Sequence, residues 1–442
     1  MSALVYGLDA PKGETAAQRR GISWPEITIV VFVFAQKLPK GVLYAAAGYL
    51  LLLAAIVWLS TRERFDRRLL QLIAPIGIVI CIGLLSGPGP GLFVYLKDAW
   101  YVSTPLVLLC GGYVLFKANP DVAAGLRAFV VAGTLSGVLH LSQFVLHPEL
   151  LKLDAATLRT EIGFGPSAAA LALTILLSYA GRWRSGLRLP TFLAVGCIGT
   201  CVLAILFSFS RQLLLFSMIG ALAAFGYFSR GELVRVGLAV LLAVVAVAGV
   251  RSVVDPNLAA NEGTVLGKIA RIPDELAIRD YLDRYTIQKH WRGYETSRTL
   301  VTYLRGSPVH LLIGRGFGVP VDLGLPIDLA TQEGGERVPT RFAPILHNGY
   351  AYLLVKAGPL AVLCIAFTLG SLYLIGRRAA RPETGGALMP AARTLQGMTL
   401  VLVMTTWISM GFLAGGAFVL ACGYVVAALG PNRGSHGRGV AS

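Results

Sequence analysis

Charge is what this sequence is short of. Only 14% of its 442 residues are Asp, Glu, Lys or Arg, where a soluble chain carries about a quarter. With 55% hydrophobic residues, that deficit excludes an ordinary soluble domain and leaves long apolar runs that call for a bilayer. Cysteine and histidine are scarce, six of each. The cysteines (Cys81, Cys110, Cys197, Cys201, Cys364 and Cys422) all fall within apolar runs, so no disulfide is expected. Cys197 and Cys201 stand one helical turn apart, but no histidine or acid joins them, and packing is their expected role. The polar connections hold neither a metal-ligand cluster nor an Asp-X-Asp pair, so no metal and no cofactor is expected. Residues 1–22 are polar and precede no short apolar run with a small-residue cleavage site, which argues against a secretory signal. No internal repeat is apparent, so the inverted-repeat signature of many transporters is missing.

What is present is a series of apolar segments. They predict an all-α polytopic membrane protein of about twelve transmembrane helices: 23–36, 41–60, 69–87, 99–116, 123–146, 163–180, 191–210, 212–228, 236–254, 345–376, 394–415 and 415–431. Residues 1–250 carry the first nine, 251–345 form one large polar loop, 346–431 carry the last three, and 432–442 are a tail. The net charge of +16 would suit nucleic acid, but its placement argues against that partner. The excess sits in short connections: Arg62, Arg64, Arg67 and Arg68; Arg182, Arg184 and Arg188; Arg230 and Arg235; Arg377, Arg378 and Arg381. Lys/Arg-rich short loops mark the cytoplasmic face of a membrane. Twelve spans put all of them on one side with both termini, and the large loop on the other.

That loop is too aromatic for a tether. From Pro273 to about Leu304 the spacing of Leu282, Tyr285, Ile287, Trp291, Tyr294 and Leu300 predicts a helix, ended by Gly306-Ser307-Pro308. Gly314-Arg315-Gly316-Phe317-Gly318 reads as a tight turn, and 319–340 as an irregular stretch. Segment 345–376 is too long for one straight span. Lys356 lies inside it, costly in lipid, and Gly358-Pro359 offers a break. A short interfacial helix over 345–356 with Lys356 snorkelling to the headgroups is expected, followed by the true span.

Three groups of residues could carry chemistry. Arg211 stands between two apolar spans, flanked by Ser208 and Ser210, on the face opposite the basic loops. It is either a turn anchor at the headgroups or a guanidinium that grips phosphate oxygens as a bidentate pair. His347, in Leu346-His347-Asn348-Gly349-Tyr350, is either a packing residue or a base for a sugar hydroxyl, with Asn348 and Tyr350 able to orient it or a glycan. The third group is Arg284, Arg292 and Arg298, interleaved with Trp291 and Tyr294. Each alone reads as solvated or paired, with Glu295 the natural partner of Arg292 or Arg298. Together they suit a ligand with both phosphate and sugar. Arg315 is a further candidate, although glycine turns are usually structural. A transporter or flippase would instead need ionisable groups at mid-membrane, for which His140 and Arg127 are the candidates.

This order of motifs resembles the O-antigen ligase and polysaccharide polymerase superfamily of bacterial envelope glycan enzymes. The similarity rests on Arg211 followed by Leu215, on His347-Asn348 followed by Gly358, and on Trp291-Arg292-Gly293-Tyr294-Glu295 before Gly314 to Gly318. A weaker likeness covers Arg159 to Pro166. The resemblance implies a multi-pass protein of the bacterial inner membrane with a large, partly helical periplasmic loop. It implies a metal-independent, inverting transfer of glycan from undecaprenyl diphosphate to an acceptor sugar hydroxyl, either a growing glycan or the lipid A core. Arg211 and one loop arginine would hold the diphosphate, and His347 would activate the acceptor. Repeat-unit polymerisation, with a chain-length regulator as a partner, is favoured over ligation. The family pattern often ends Gly-X-X-Gly, where this chain has Gly358-Pro359-Leu360-Ala361.

Overall fold

A computed structural model of the protein describes residues 22–35, 48–49, 52–53, 56, 66–85, 91–152, 162, 166–228, 286–287, 290–330, 337–344, 346–381, 386–414 and 416–430. Ten of the predicted spans carry a helix; of 41–60 only residues 48–49, 52–53 and 56 are described, all helical, and 236–254 lies wholly outside the described residues. In order these helices are α1 (Trp24–Ala35), α2 (Arg67–Leu85), α3 (Leu92–Ala118), α4 (Val122–Leu146), α5 (Ser167–Ser178), α6 (Thr191–Phe207) and α7 (Arg211–Ala224). Then come α8 (Trp291–Leu304), α9 (Pro308–Ile313), a hairpin of β1 (Val321–Ala330) and β2 (Arg337–Ala343), α10 (Gly349–Ala379), α11 (Met389–Ser409), α12 (Gly411–Ala414) and α13 (Gly416–Ala428). By length and composition α2, α3, α4 and α10 can each cross a bilayer, and α1, α5, α6, α7 and α13 are shorter apolar helices.

Lipid tails are as apolar as leucine, so helices in a membrane associate by close packing of small residues rather than by expelling water. The tightest crossing here, α3 on α13, shows this. A Cβ on Gly112 would fall 2.0 Å from the Leu420 carbonyl oxygen, and one on Gly423 would fall 2.2 Å from the Leu109 carbonyl oxygen. One continuous apolar core then runs through the bundle from Ile29 and Phe32 to Val425, while Phe192, Leu363 and Phe367 face outward, as lipid-facing side chains would.

Alternating helix directions give the bundle two ends with different chemistry. One end is basic. There Arg68 donates to the Leu429 carbonyl at 2.8 Å, Arg393 to the Ala224 carbonyl at 3.2 Å, and Arg188 to Asp121 at 2.6 Å. Asp121 also caps α4 through the Ala124 amide. The connections holding Arg67, Arg182, Arg184, Arg377, Arg378 and Arg381 open at this end; Arg62, Arg64, Arg230 and Arg235 lie outside the described residues. The opposite end receives α8, α9 and the hairpin. Phe317 there donates its amide to the Gly83 carbonyl at 3.2 Å, its ring where a Cβ on Gly83 would sit.

The described residues are predominantly helical, in keeping with the all-α class expected. The structure corrects two expectations. Within the stretch read as irregular, β1 pairs antiparallel with β2, Val321 opposite Ala343 and Ala330 opposite Arg337, with a register shift between Asp322 and Ile327. The break expected at Gly358-Pro359 is present: Gly358 (φ 76°) has non-helical backbone and divides α10 into a short first helix, which begins at Gly349 rather than 345, and a longer one after it. Lys356 does not snorkel. It is 1% exposed, because the fold offers Asp98 as a buried counter-charge. The Asp98 carboxylate accepts from Lys356 Nζ at 2.5 Å, Tyr352 Oη at 2.6 Å and the Gly318 amide at 2.7 Å. A buried ion pair repays its desolvation only when its remaining lone pairs and protons are also satisfied, and the Val319 carbonyl takes a further Lys356 proton at 2.5 Å.

Candidate active site

The site is built on the kink in α10. Pro359 has no N–H, so the Val355 carbonyl four residues earlier loses its helical partner. The glycine turn replaces it: the Arg315 amide donates to Val355 at 2.6 Å and the Gly316 amide to Lys356 at 3.1 Å. The two backbones meet so closely that a Cβ on Gly314 would sit 2.5 Å from the Ala357 nitrogen, and one on Gly358 would sit 2.3 Å from the Leu312 oxygen. Both glycines have φ of 76°. Two motifs separated by some forty residues are therefore halves of one joint, which holds the large loop against the helix that His347 immediately precedes.

Above this joint, α8 lies along the start of α10. Ser307, a capping residue with His310 in a reciprocal box, turns the chain from α8 into α9. Tyr294 Oη donates to the Leu323 carbonyl of β1, and Tyr303 Oη donates to the Leu311 carbonyl at 2.5 Å, so α8 is fixed to both the hairpin and α9. Glu295 on its buried face is 2% exposed and meets His347. The carboxylate accepts from the His347 backbone amide at 2.9 Å, and its two oxygens lie 3.1 and 3.3 Å from His347 Nδ1. The imidazole itself is half exposed, at 51%. Glu295 was expected to pair with Arg292 or Arg298; instead it fixes the histidine.

Asn348 is buried and serves the fold. Its Oδ1 caps α10 by accepting from the Tyr350 and Ala351 amides, each at 3.1 Å, and its Nδ2 reaches Thr296 Oγ1 on α8 at 3.5 Å. Tyr350 turns into the bundle, its hydroxyl on the Val403 carbonyl at 3.2 Å and its ring 6.4 Å from Trp407. Arg298 is likewise spoken for: its Nε donates to the Asp322 carbonyl at 3.2 Å, and its guanidinium lies 2.9 Å from where a Cβ on Gly324 would be. Arg341 holds the Asp322 carboxyl down to about 2 by hydrogen bond and charge. Arg315 acts through its backbone; its Nε is buried without a hydrogen-bond partner. Trp291 and Arg292 are half-buried at the start of α8, Trp291 with its ring 6.1 Å from that of Tyr294. Arg284 and Arg159 lie outside the described residues.

Arg211 opens α7 at this same end. Gln212 beside it donates to Ser409 at the end of α11, and a Cβ on Gly349 would sit 2.9 Å from Thr406 of that helix. The starts of α7 and α10 thus flank one helix terminus. The two neighbouring serines build the turn: Ser208 Oγ donates to the Ile205 carbonyl at 2.6 Å, and Ser210 caps α7 through the Leu213 amide at 3.4 Å, with Phe209 between them at φ 48°. A cation in the first turn opposes the helix dipole and costs about 0.3–1 kcal/mol. An anion bound at this terminus would meet the positive end of the α7 dipole.

Sequence reasoning missed the Asp98–Lys356 pair. Its signal was available: each is an isolated charge within an apolar segment, of opposite sign, and such residues pair. No known family model matches the chain, and no curated protein sequence matches it.

Proposed function

We propose that this protein is a glycan transferase of the O-antigen ligase and polymerase type, resident in a bacterial inner membrane with its site on the periplasmic face. It moves a glycan from undecaprenyl diphosphate to an acceptor sugar hydroxyl, with polymerisation of repeat units favoured over ligation to lipid A core. His347 takes the acceptor proton as the hydroxyl oxygen attacks the anomeric carbon from the side opposite the diphosphate. The anomeric carbon–oxygen bond breaks, its electron pair goes to the diphosphate, and the product is inverted. Arg211, with one of the loop arginines Arg284, Arg292 and Arg298, stabilises the departing diphosphate, a role in which charge placed in advance lowers the barrier most.

The observation that carries this reading is the Glu295–His347 pair, its carboxylate buried and its imidazole half exposed, at the end of the bundle where Arg211 opens α7 and opposite the end that gathers the basic connections. Basic connections mark the cytoplasmic side, which leaves the pair facing the periplasm. Of the three competing loop arginines, Arg298 is engaged by the hairpin and Arg284 lies outside the described residues.

The test is glycan transfer in cells and in purified, lipid-reconstituted protein. His347→Ala and Arg211→Ala should each lower transfer by about 10²-fold or more, with membrane abundance unchanged. Glycan of normal length and amount in both variants would sink the proposal. Loss of long chains with single repeat units still attached to lipid A core indicates a polymerase; loss of all attachment indicates a ligase.

A further inference from the structure

The geometry points to Glu295 as the positioning residue of this site: it fixes one tautomer of His347 and supplies the counter-charge for the imidazolium that proton transfer creates. This rests on His347 being the base of the proposed transfer. Two features of the contact set the tautomer. A carboxylate accepts hydrogen bonds and donates none, so the 3.1 Å contact with Nδ1 places a proton on Nδ1. The lone pair then belongs to Nε2, the nitrogen on the far side of a ring that is half exposed. The carboxylate cannot swing away, because the same Oε2 accepts the His347 backbone amide at 2.9 Å and its helix is tied to β1 and to α9.

The charge balance follows. An acceptor hydroxyl gives its proton to Nε2 while its oxygen bonds to the anomeric carbon and the diphosphate leaves with the electron pair. The imidazole becomes a cation beside a carboxylate that is 2% exposed, where attraction is screened little by water. The proton later leaves from Nε2 and the dyad is restored. Around the ring, α8 also carries Arg292 and Arg298, β1 carries Asp322, α9 carries His310, α10 carries Lys356 and α7 opens with Arg211. Among the described residues, Glu295 is the charged group in contact with the imidazole.

The experiment uses the full chain in lipid nanodiscs with ¹⁵N-labelled histidine, and His347→Ala to assign the signal. At a pH where the ring is neutral, the wild-type spectrum should show a protonated Nδ1 and an unprotonated Nε2. Glu295→Leu removes the acceptor and should release a mixture of tautomers. Glu295→Gln keeps an oxygen that can accept but loses the charge. It should retain the tautomer and still lower turnover of an undecaprenyl-diphosphate-linked repeat unit by about 10- to 10³-fold, with the donor KM unchanged. A merely structural glutamate would not separate tautomer from rate in this way. A proton on Nε2 in the wild type, or a Glu295→Gln variant with wild-type turnover, overturns the inference. Should His347→Ala keep full turnover, His347 is not the base and the catalytic role of Glu295 falls with it. Should the wild type turn over no undecaprenyl-diphosphate-linked repeat unit while the tautomer is as described, the transferase reading fails and the dyad stands. If Glu295→Leu does not fold, the wild-type spectrum and Glu295→Gln decide.

Discussion

Lys356 shows how a side chain's fate depends on a partner far away in sequence. A lysine among apolar residues must either reach the headgroups or find an anion, and Asp98, 258 positions away, supplies the anion with both side chains at or below 1% exposure. Removing one partner of such a pair leaves a buried charge alone, which costs about 3–5 kcal/mol. Asp98→Ala should therefore lower the melting temperature of the detergent-solubilised protein sharply. The double variant Asp98→Leu with Lys356→Met should recover most of it; a double variant as unstable as the single would mean that the pair contributes beyond mutual neutralisation. Asp322 is the opposite case, an acid on the hairpin whose carboxyl Arg341 holds at about 2, below the ordinary 3.8. A depressed carboxyl stabilises the fold above its ordinary value and loses that effect as pH falls through the depressed one. The hairpin should thus keep this ion pair in mild acid and lose it only near pH 2; a carboxyl NMR titration with a midpoint at the ordinary value would show the pair absent.

Among the elements, the joint between the glycine turn and the kink of α10 matters most, because it sets where the loop sits relative to His347. Glycine spacing marked a turn at 314–318 and Gly358-Pro359 marked a break, so each half was legible. Their mating was not, since a local pattern cannot say which distant carbonyls a set of amides will satisfy. Gly358→Ala forces a side chain into a positive-φ, extended backbone region that is essentially reserved for glycine, about 1–3 kcal/mol by itself, and drives its Cβ to 2.3 Å from the Leu312 oxygen. It should cost more stability than any alanine substitution on the lipid-facing surface of α10, such as Leu363→Ala, as thermal unfolding would show. The hairpin was missed for a similar reason. Gly324, Pro326 and Pro339 argue against strands, yet two strands with edges open at either side accept them, and Tyr294 anchors β1 from α8.

For the molecule as a whole, the basic end and the dyad end are the organising fact. They give the orientation a direct check. In a variant stripped of its six native cysteines, a cysteine at His310 or Arg341 should react with an impermeant thiol reagent applied to the periplasm, and one at Arg184 only after the membrane is breached. The reverse pattern would put the dyad in the cytoplasm and exclude a periplasmic transferase. The same polarity bears on the transporter alternative. Arg127, near the basic end, pairs with Glu26 at 3.1 Å, and His140 packs edge-on to Phe144 with ring centroids 5.6 Å apart. The Asp98–Lys356 pair is closed over by the glycine turn and opens onto no described path.

Apolar run length, the clustering of arginine in short connections and the position of the lone loop were enough to anticipate a helical chain with helices long and apolar enough to cross a membrane and with two unlike ends, because hydropathy and charge act over a few residues and leave their mark locally. Arg211, His347 and Glu295 could each be named as candidates on the same grounds. Which of them meet could not be read off the chain. That Glu295 faces a histidine rather than an arginine, that Asn348 caps a helix, and that Asp98 neutralises Lys356 all depend on helices folding back over one another, and a contact between distant segments exists only once the packing that creates it has formed.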